Sequence, residues 1–294
     1  MGPGSQVVLS IAEIGYELWA HDKDITLALD PNYVPFVNGC NADISLCVYS
    51  GSMAEVELGP VLFDSGGVWT LHASRGELVY GFVPGETSPQ GGRTYSTLMR
   101  LDQDLTRGSI YVKAPANESS LRVRALSQAS GEVLTVAMLS RGRGVELHGL
   151  GLRSQDTGYL FCGVSGAGKS TVARIWRDEP ELEILSDDRI IVRKADGGLR
   201  IYGTPWHGDA GAASPGSAPL QQLFFLRQGS TNHVRALSPG EAAGRLMTCC
   251  FATFWDPVGM AFTLSVLEEI STAVPCYELT FVKDHSMVDF VRQL

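Results

Sequence analysis

A glycine-rich stretch that ends in lysine and serine carries the clearest chemistry in the sequence. Residues 163–170 read Gly-Val-Ser-Gly-Ala-Gly-Lys-Ser and fit the pattern G-x-x-x-x-G-K-[ST]. The glycines allow successive backbone N–H groups to turn inward around phosphate oxygens. Lys169 would supply positive charge to the outer phosphates and Ser170 a hydroxyl for Mg²⁺, while the start of a helix adds a favourable dipole. The stretch therefore predicts a nucleotide-binding loop.

The residues on either side of this loop have the pattern of a strand before it and a helix after it. Tyr159–Cys162 is a short apolar run. After the loop, apolar residues recur at helical spacing over Val172–Trp176, and the helix must end before Pro180. This context argues against a chance glycine-rich turn. The residues expected to contact nucleotide are Gly163, Val164, Ser165, Gly166, Ala167, Gly168, Lys169, Ser170 and Thr171.

An acidic pair follows the loop at a distance that suits a metal site. Leu182–Leu185 is a short apolar segment that leads into Ser186, Asp187 and Asp188, and Asp187 lies 18 positions after Lys169. Two carboxylates at a strand end allow one to bind Mg²⁺ and the other to accept a proton from an attacking hydroxyl. The alternative is a simple turn, because aspartate also favours turns. Following a phosphate loop, the pair favours the functional interpretation.

Composition narrows the class of protein. The chain has 294 residues, 44% of them hydrophobic, and a net charge of −9, so we expect no nucleic-acid partner. No apolar run reaches the roughly 18 residues of a membrane span. Residues 1–6 lack a signal-peptide pattern and resemble an expression-tag remnant, so we expect a cytoplasmic protein without a membrane partner. The six cysteines have no C-x-x-C or zinc spacing, which predicts buried, reduced thiols.

The first part of the chain, residues 1–128, is predicted to be a β-rich domain. Short β-prone segments alternate with turn residues, which is typical of a mainly antiparallel sheet. Phe63–Trp69 contains Gly66-Gly67 and predicts a hairpin. Thr97–Thr106 is interpreted as a short helix.

The second part, residues 129–294, alternates strand and helix patterns around the phosphate loop. Gly144–Arg153 predicts a strand, whereas the period of Val133–Leu139 fits either a helix or a strand. Ser238-Pro239-Gly240-Glu241 is a capping box and predicts a helix that runs to about Phe254. Gly203–Pro219 is dense in small residues and predicts a long loop of functional importance or disorder.

The order and spacing of these motifs resemble the C-terminal catalytic domain of HPr kinase/phosphorylase, whose core is shared with phosphoenolpyruvate carboxykinase. His148-Gly149 precedes the phosphate loop by fifteen positions, and Ser186-Asp187-Asp188-Arg189 follows it. The resemblance covers about residues 130–294 and is strongest over residues 148–189. It implies an α/β (α+β) protein with a P-loop kinase domain built on a mixed sheet, preceded here by the β-rich domain.

The resemblance also implies an activity. Members of the family use ATP and Mg²⁺ to phosphorylate a serine hydroxyl on a small carrier protein, and relatives act on other peptides. A peptide, protein or small-molecule hydroxyl is therefore the expected acceptor, and a homo-oligomer is compatible with the family. Carried over, the pattern implies Asp187 as the base, Asp188 near the metal with Ser170, Lys169 on the phosphates, and His148 beside the transferred phosphoryl group.

The sequence departs from the family in the loop that follows the acidic pair. Gly203–Asp209 stands where a glutamate-arginine-glycine loop supports the reverse reaction, so that reaction is not carried over. Within it, His207 and Asp209 are further candidates for contact with substrate or metal, and Trp206 for stacking or anchoring. Two alternatives remain open: a P-loop ATPase or nucleotide-dependent switch without an acceptor, and a binding module that has lost catalysis.

Overall fold

The computed structural model describes residues 5–51, 53, 56–83, 94–113, 121–164, 166–195 and 197–294. The chain divides into two compact units, residues 1–134 and 135–294. Both helices and mixed sheets are present, which confirms the α+β class. The expected boundary between residues 128 and 129 coincides with the start of helix α1 (Gln128–Leu139), which spans the division between the units.

The first unit is dominated by β-strands. They are β1 (Gln6–Ile11), β2 (Ile14–Ala20), β3 (Ile25–Ala28), β4 (Ile44–Gly51), β5 (Val61–Asp64), β6 (Trp69–Ser74), β7 (Glu77–Phe82), β8 (Thr97–Leu101), β9 (Arg107–Lys113) and β10 (Leu121–Arg124), with a 3₁₀ helix at Pro31–Phe36. Eight strands form one sheet in the order β1-β2-β4-β9-β8-β7-β6-β5, and β10 pairs with β3. Five of its seven described strand pairings are antiparallel, as expected, whereas β2 with β4 and β4 with β9 run parallel, so the sheet is mixed but mainly antiparallel. Long connections between these strands permit the parallel pairing.

The hairpin expected at Phe63–Trp69 forms between β5 and β6, with positive φ at both Gly66 and Gly67. The helix expected at Thr97–Thr106 is wrong. Strand β8 occupies its first half and pairs with β7 on one side and β9 on the other. Pairing on both edges and burial of Leu98 and Met99 outweigh a weak local helical signal.

The second unit alternates strands and helices. Its strands are β11 (Val145–Ser154), β12 (Thr157–Cys162), β13 (Leu182–Ser186), β14 (Arg189–Ala195), β15 (Gly198–Tyr202), β16 (Ser217–Gln228), β17 (His233–Ala236), β18 (Cys250–Phe251) and β19 (Cys276–Phe281). Its further helices are α2 (Lys169–Trp176), α3 (Pro239–Cys249), α4 (Pro257–Ala273) and α5 (Ser286–Arg292). The nine-stranded sheet follows β12-β11-β14-β15-β16-β19-β17, with β13 and β18 also on β11 and a parallel pairing of β12 with β16.

Two apolar cores cover the two faces of this sheet. One contains Leu147, Leu160 and Cys162 together with side chains of α3 and α4. The other contains Leu150 and Phe161 with side chains of α2 and α5. Since successive side chains of a strand point to opposite faces, His148 lies on the face that carries α2. This layering places the phosphate loop and His148 on the same side of the sheet.

Several boundaries differ from expectation for identifiable reasons. Val133–Leu139 belongs to α1 and is therefore helical. Helix α3 ends at Cys249 instead of Phe254, because Cys250 and Phe251 leave the helix to pair with β11. The small-residue loop ends at Gly216, and residues 217–219 already belong to β16, where Pro219 pairs with Arg200.

All six cysteines are free thiols. Cys47, Cys162, Cys249 and Cys276 are buried, whereas Cys40 and Cys250 are partly exposed. Among the described residues, no helix combines the length and apolar character needed to cross a bilayer.

The predicted capping box is confirmed and gives a pH-dependent prediction. Glu241 Oε2 accepts from Ser238 N at 3.0 Å and from Ser238 Oγ at 2.9 Å. These two bonds, together with Arg235, lower the pKa of Glu241 from 4.5 to about 2. Because the folded pKa lies below the unfolded one, the stabilisation is present above pH 4.5 and is lost as pH falls toward 2. The difference in unfolding free energy between wild type and Glu241→Gln should therefore shrink on acidification.

Urea unfolding followed by circular dichroism between pH 6 and pH 3 measures this difference. Glu268→Gln, on the exposed side of α4, is the matched control and should show no comparable trend. A difference for Glu241→Gln that stays constant across the range would contradict the role of the charged carboxylate.

Candidate functional site

Strand β11 aligns the two halves of the site. Its first residues, Val145–His148, pair with β14 and place His148 opposite Arg189. Its later residues pair with β12 and place Gly149 opposite Cys162, which directly precedes the phosphate loop. Gly149 N also donates to Asp188 O at 3.1 Å. One strand therefore brings together residues that are far apart in the sequence.

The phosphate loop has a backbone that requires glycine. Gly168 adopts a φ of 115° before the first residue of α2, and a Cβ there would lie 2.8 Å from the ring of Phe281. Gly166 also has a positive φ, of 82°. Both the conformation and the close packing therefore exclude a larger residue at position 168 without rearrangement.

The Lys169 side chain folds back over its own loop. It is buried, and its Nζ donates to Gly163 O at 2.8 Å and more weakly to Val164 O at 3.5 Å. A third contact joins Nζ to His148 Nε2 at 2.7 Å. The ammonium group thus links the loop to β11.

The loop retains backbone donors at its helical end. Ala167 N donates to Val164 O at 3.1 Å within the loop. For the amides of Gly168, Lys169 and Ser170, the described residues provide no acceptor. Three adjacent N–H groups at the start of a helix are suited to bind an anion. Ser165, also expected to contact nucleotide, lies outside the described residues.

His148 connects Lys169 to Asp188. Because an ammonium group only donates, His148 Nε2 must accept from Lys169, which leaves the hydrogen of the neutral ring on Nδ1. Nδ1 lies 3.1 Å from Asp188 Oδ1 and donates to it. Arg189 Nη1 is 2.9 Å from the same ring nitrogen and donates instead to Asp188 Oδ2. The result is a continuous polar chain from the phosphate loop to the acidic pair.

Burial and neighbouring charges shift the pKa values of Lys169 and Asp188, the two ends of this hydrogen-bonded series. Burial lowers the pKa of Lys169, although the negative charge of Asp188 opposes the shift. Burial alone would raise the pKa of Asp188, but the His148 hydrogen bond and the charges of Arg189 and Lys169 together hold it below its usual range. Asp188 is therefore an anion at neutral pH, suited to contact a cation.

Asp187 makes a different set of contacts. It is buried, and Oδ1 accepts from the backbone N–H groups of Gly208 at 3.0 Å and Ala212 at 3.3 Å. Oδ2 accepts from Ala210 N at 2.7 Å. The carboxylate predicted as a base therefore holds the loop that follows β15.

These elements enclose a pocket of about 520 Å³. The predicted residues that line it are His148, Gly166, Gly168, Lys169, Ser170, Thr171, Asp187 and Asp188. Gly208, Asp209 and Gln228 complete the lining. Gly163, Val164 and Ala167 belong to the loop but lie outside the lining, and the first two accept hydrogen bonds from Lys169.

The loop Gly203–Gly216 contributes Gly208 and Asp209 to the pocket lining. Trp206 is buried, and its carbonyl accepts from Ser186 Oγ at 2.9 Å, so this residue anchors the loop. His207 lies outside the lining and contacts Gly208 O through Nδ1 at 2.9 Å. Asp209 lines the pocket. Of the two candidates named in this loop, the structure therefore brings one to the site.

The sequence patterns assigned no role to three residues near this site, although Arg189 was named as the last residue of the acidic motif. Glu146 is buried two positions before His148 on the same strand face, and Arg189 Nε lies 3.7 Å from its Oε1. Arg189 also covers the Phe251 ring at 4.3 Å. Gln228 is the last residue of β16, and its Nε2 donates to Gly166 O at a distance of 3.1 Å. The one sequence feature that could have indicated such a residue is a charged side chain between two apolar ones in β11, and that residue is Glu146.

The site contains donors suited to Mg²⁺ but no complete protein cage. The described part of the chain has no group of three or more His, Cys, Asp or Glu side chains placed to hold a metal. Mg²⁺ bound with a nucleotide needs only one or two protein ligands, because phosphates and water supply the others. Ser170 and Asp188 line the same pocket and fit that requirement.

A scan against protein-family models and a search of curated proteins both find no match to this chain. The interpretation of the site therefore depends on the motifs and on the geometry described above.

Proposed function

We propose that this chain is an ATP-dependent kinase that transfers the γ-phosphoryl group to a hydroxyl, with serine of a peptide or protein, or a small molecule, as the acceptor class. One observation carries the proposal: a single pocket joins the helical end of a phosphate loop, with Lys169, to the acidic pair Asp187–Asp188. The resemblance of the motif order to HPr kinase/phosphorylase supports the same activity.

Phosphoryl transfer depends mainly on positioning and on neutralising negative charge. The N–H groups of Gly168–Ser170 have no acceptor among the described residues and would donate to phosphate oxygens, and Lys169 lines the same pocket. Ser170 and Asp188 would hold Mg²⁺, which offsets charge on the phosphates when bound. The hydrogen bond from His148 keeps Asp188 oriented and ionised for this role.

Lys169 must exchange partners when phosphate enters the pocket. Its contacts to Gly163 O, Val164 O and His148 Nε2 hold the ammonium group in place without a ligand. Phosphate oxygens are stronger acceptors than backbone carbonyls because they carry charge. His148 lines the same pocket, which supports a role beside the transferred phosphoryl group.

The proposal is tested by incubating the protein with γ-³²P-ATP, Mg²⁺ and a library of serine-containing peptides and small hydroxyl compounds. We expect label on an acceptor and loss of labelling when EDTA removes Mg²⁺. Free phosphate released without any labelled acceptor would favour an ATPase or switch. Tight nucleotide binding without turnover would favour a binding module, and either outcome would contradict the kinase.

A further inference from the structure

The side chain of Asp187 binds three points of the backbone in the segment His207–Ala212. The backbone N–H groups of Gly208, Ala210 and Ala212 donate to the two oxygens of Asp187. Bonds from amides to a carboxylate are charge-assisted and stronger than bonds between neutral groups. Asp187 therefore fixes the backbone on both sides of position 209.

Other contacts lock the same segment. Arg177 Nη2 donates to Ala210 O at 3.2 Å, and Gly211 N donates to Gly208 O at 3.2 Å. A Cβ at Gly208 would lie 3.0 Å from Asp187 Oδ2, so glycine permits the close approach of the loop to the aspartate. The backbone around Asp209 is thus defined before any substrate binds.

Asp209 differs from the other two pocket aspartates in its partners. Asp188 contacts His148 and Arg189, and Asp187 binds loop amides. Asp209 is exposed and lines the pocket, and no described residue forms a hydrogen bond or ion pair with its carboxylate. A charged acceptor on a fixed backbone that lines a pocket and is open to solvent is suited to meet a hydroxyl from an incoming substrate.

We propose that Asp209 is the carboxylate that contacts the acceptor hydroxyl, and that Asp187 is a positioning residue that holds it there. This assignment rests on the proposed kinase activity and replaces the role in proton transfer that the family resemblance implies for Asp187. The hydroxyl proton passes to Asp209 as the oxygen–phosphorus bond forms. The bond from the γ-phosphorus to the bridging oxygen breaks, ADP leaves, and Asp209 releases the proton to solvent.

The experiment compares wild type with Asp209→Asn, Asp209→Glu, Asp187→Asn and the exposed-turn control Asp156→Asn. Transfer from γ-³²P-ATP to the serine peptide library gives rates, and hydrogen–deuterium exchange reports on residues 207–212. Asp209→Asn should lower kcat about 100-fold with unchanged KM for ATP and unchanged exchange. Asp209→Glu should recover part of the rate. Asp187→Asn should lower the rate and also raise exchange across residues 207–212.

The outcomes separate this inference from the kinase proposal. If wild type labels no acceptor, both are overturned. If wild type labels an acceptor and Asp209→Asn labels it at the same rate, only the role of Asp209 fails. A rise in the Mg²⁺ concentration that half-saturates Asp209→Asn would assign the residue to the ion instead. Loss of activity in Asp187→Asn with unchanged exchange would return Asp187 to the chemical step.

Discussion

Replacing Lys169 with methionine is expected to lower kcat/KM for phosphoryl transfer by about 100- to 1,000-fold. Methionine keeps the length and apolar stem of the side chain but removes the only positive charge of the phosphate loop. The loss of a preorganised charge that faces developing negative charge has an effect of this size. Steady-state transfer kinetics at saturating Mg²⁺, together with nucleotide affinity by calorimetry, measure it.

The same change also removes donors from the ground-state structure. Gly163 O and His148 Nε2 lose their bonds to Nζ, so the folded state must be checked by urea unfolding. Lys194→Met is a suitable control, because Lys194 lies on the surface and pairs with Glu269. Activity of Lys169→Met within a factor of three of wild type, with the fold retained, would exclude the phosphate role of this lysine.

Replacing Asp188 with asparagine is expected to lower the rate of transfer by about 100-fold or more and to raise the Mg²⁺ concentration required for half-maximal rate. Asparagine is nearly isosteric but carries no charge to hold the cation. It also leaves Arg189 beside a neutral group, although Glu146 remains 3.7 Å from Arg189 Nε. Rates measured across a Mg²⁺ titration separate the loss of metal binding from the loss of the chemical step.

Asp178→Asn, on an exposed position after α2, controls for the general effect of removing an acidic residue. A Mg²⁺ dependence of Asp188→Asn identical to that of wild type would remove Asp188 from the metal site. A fall in stability large enough to explain the rate would also count against a direct role.

The backbone of the glycine-rich loop was predictable from sequence because its conformation depends on its own residues. Gly168 adopts a positive φ directly before Lys169, the first residue of α2, as the spacing of the motif indicates. The capping box of α3 was predictable for the same reason, since its partners are three residues apart. Strand β11 was visible as an apolar run, and its register with β14 then placed His148 beside Asp188.

Features that depend on distant partners were not predictable in this way. Strand β8 was interpreted as a helix because its own residues do not indicate that it pairs with β7 and β9. Asp187 and Asp188 are adjacent and chemically identical, yet one holds a loop more than twenty positions away and the other contacts His148. No local pattern distinguishes them, because the distinction comes from which direction each side chain leaves the end of β13.

The change of partners along β11 has a consequence for how this protein tolerates alteration. The strand meets β14 up to His148 and β12 from Gly149 onward, so a slip of one residue would turn His148 to the opposite face and displace Gly149 from Cys162. Insertions at the exposed turn Gln155–Asp156 leave this alignment intact, whereas an added residue between Glu146 and Leu152 separates the histidine from the loop. We therefore expect changes in length to be tolerated at the tip of this hairpin, while its base must keep a constant residue count.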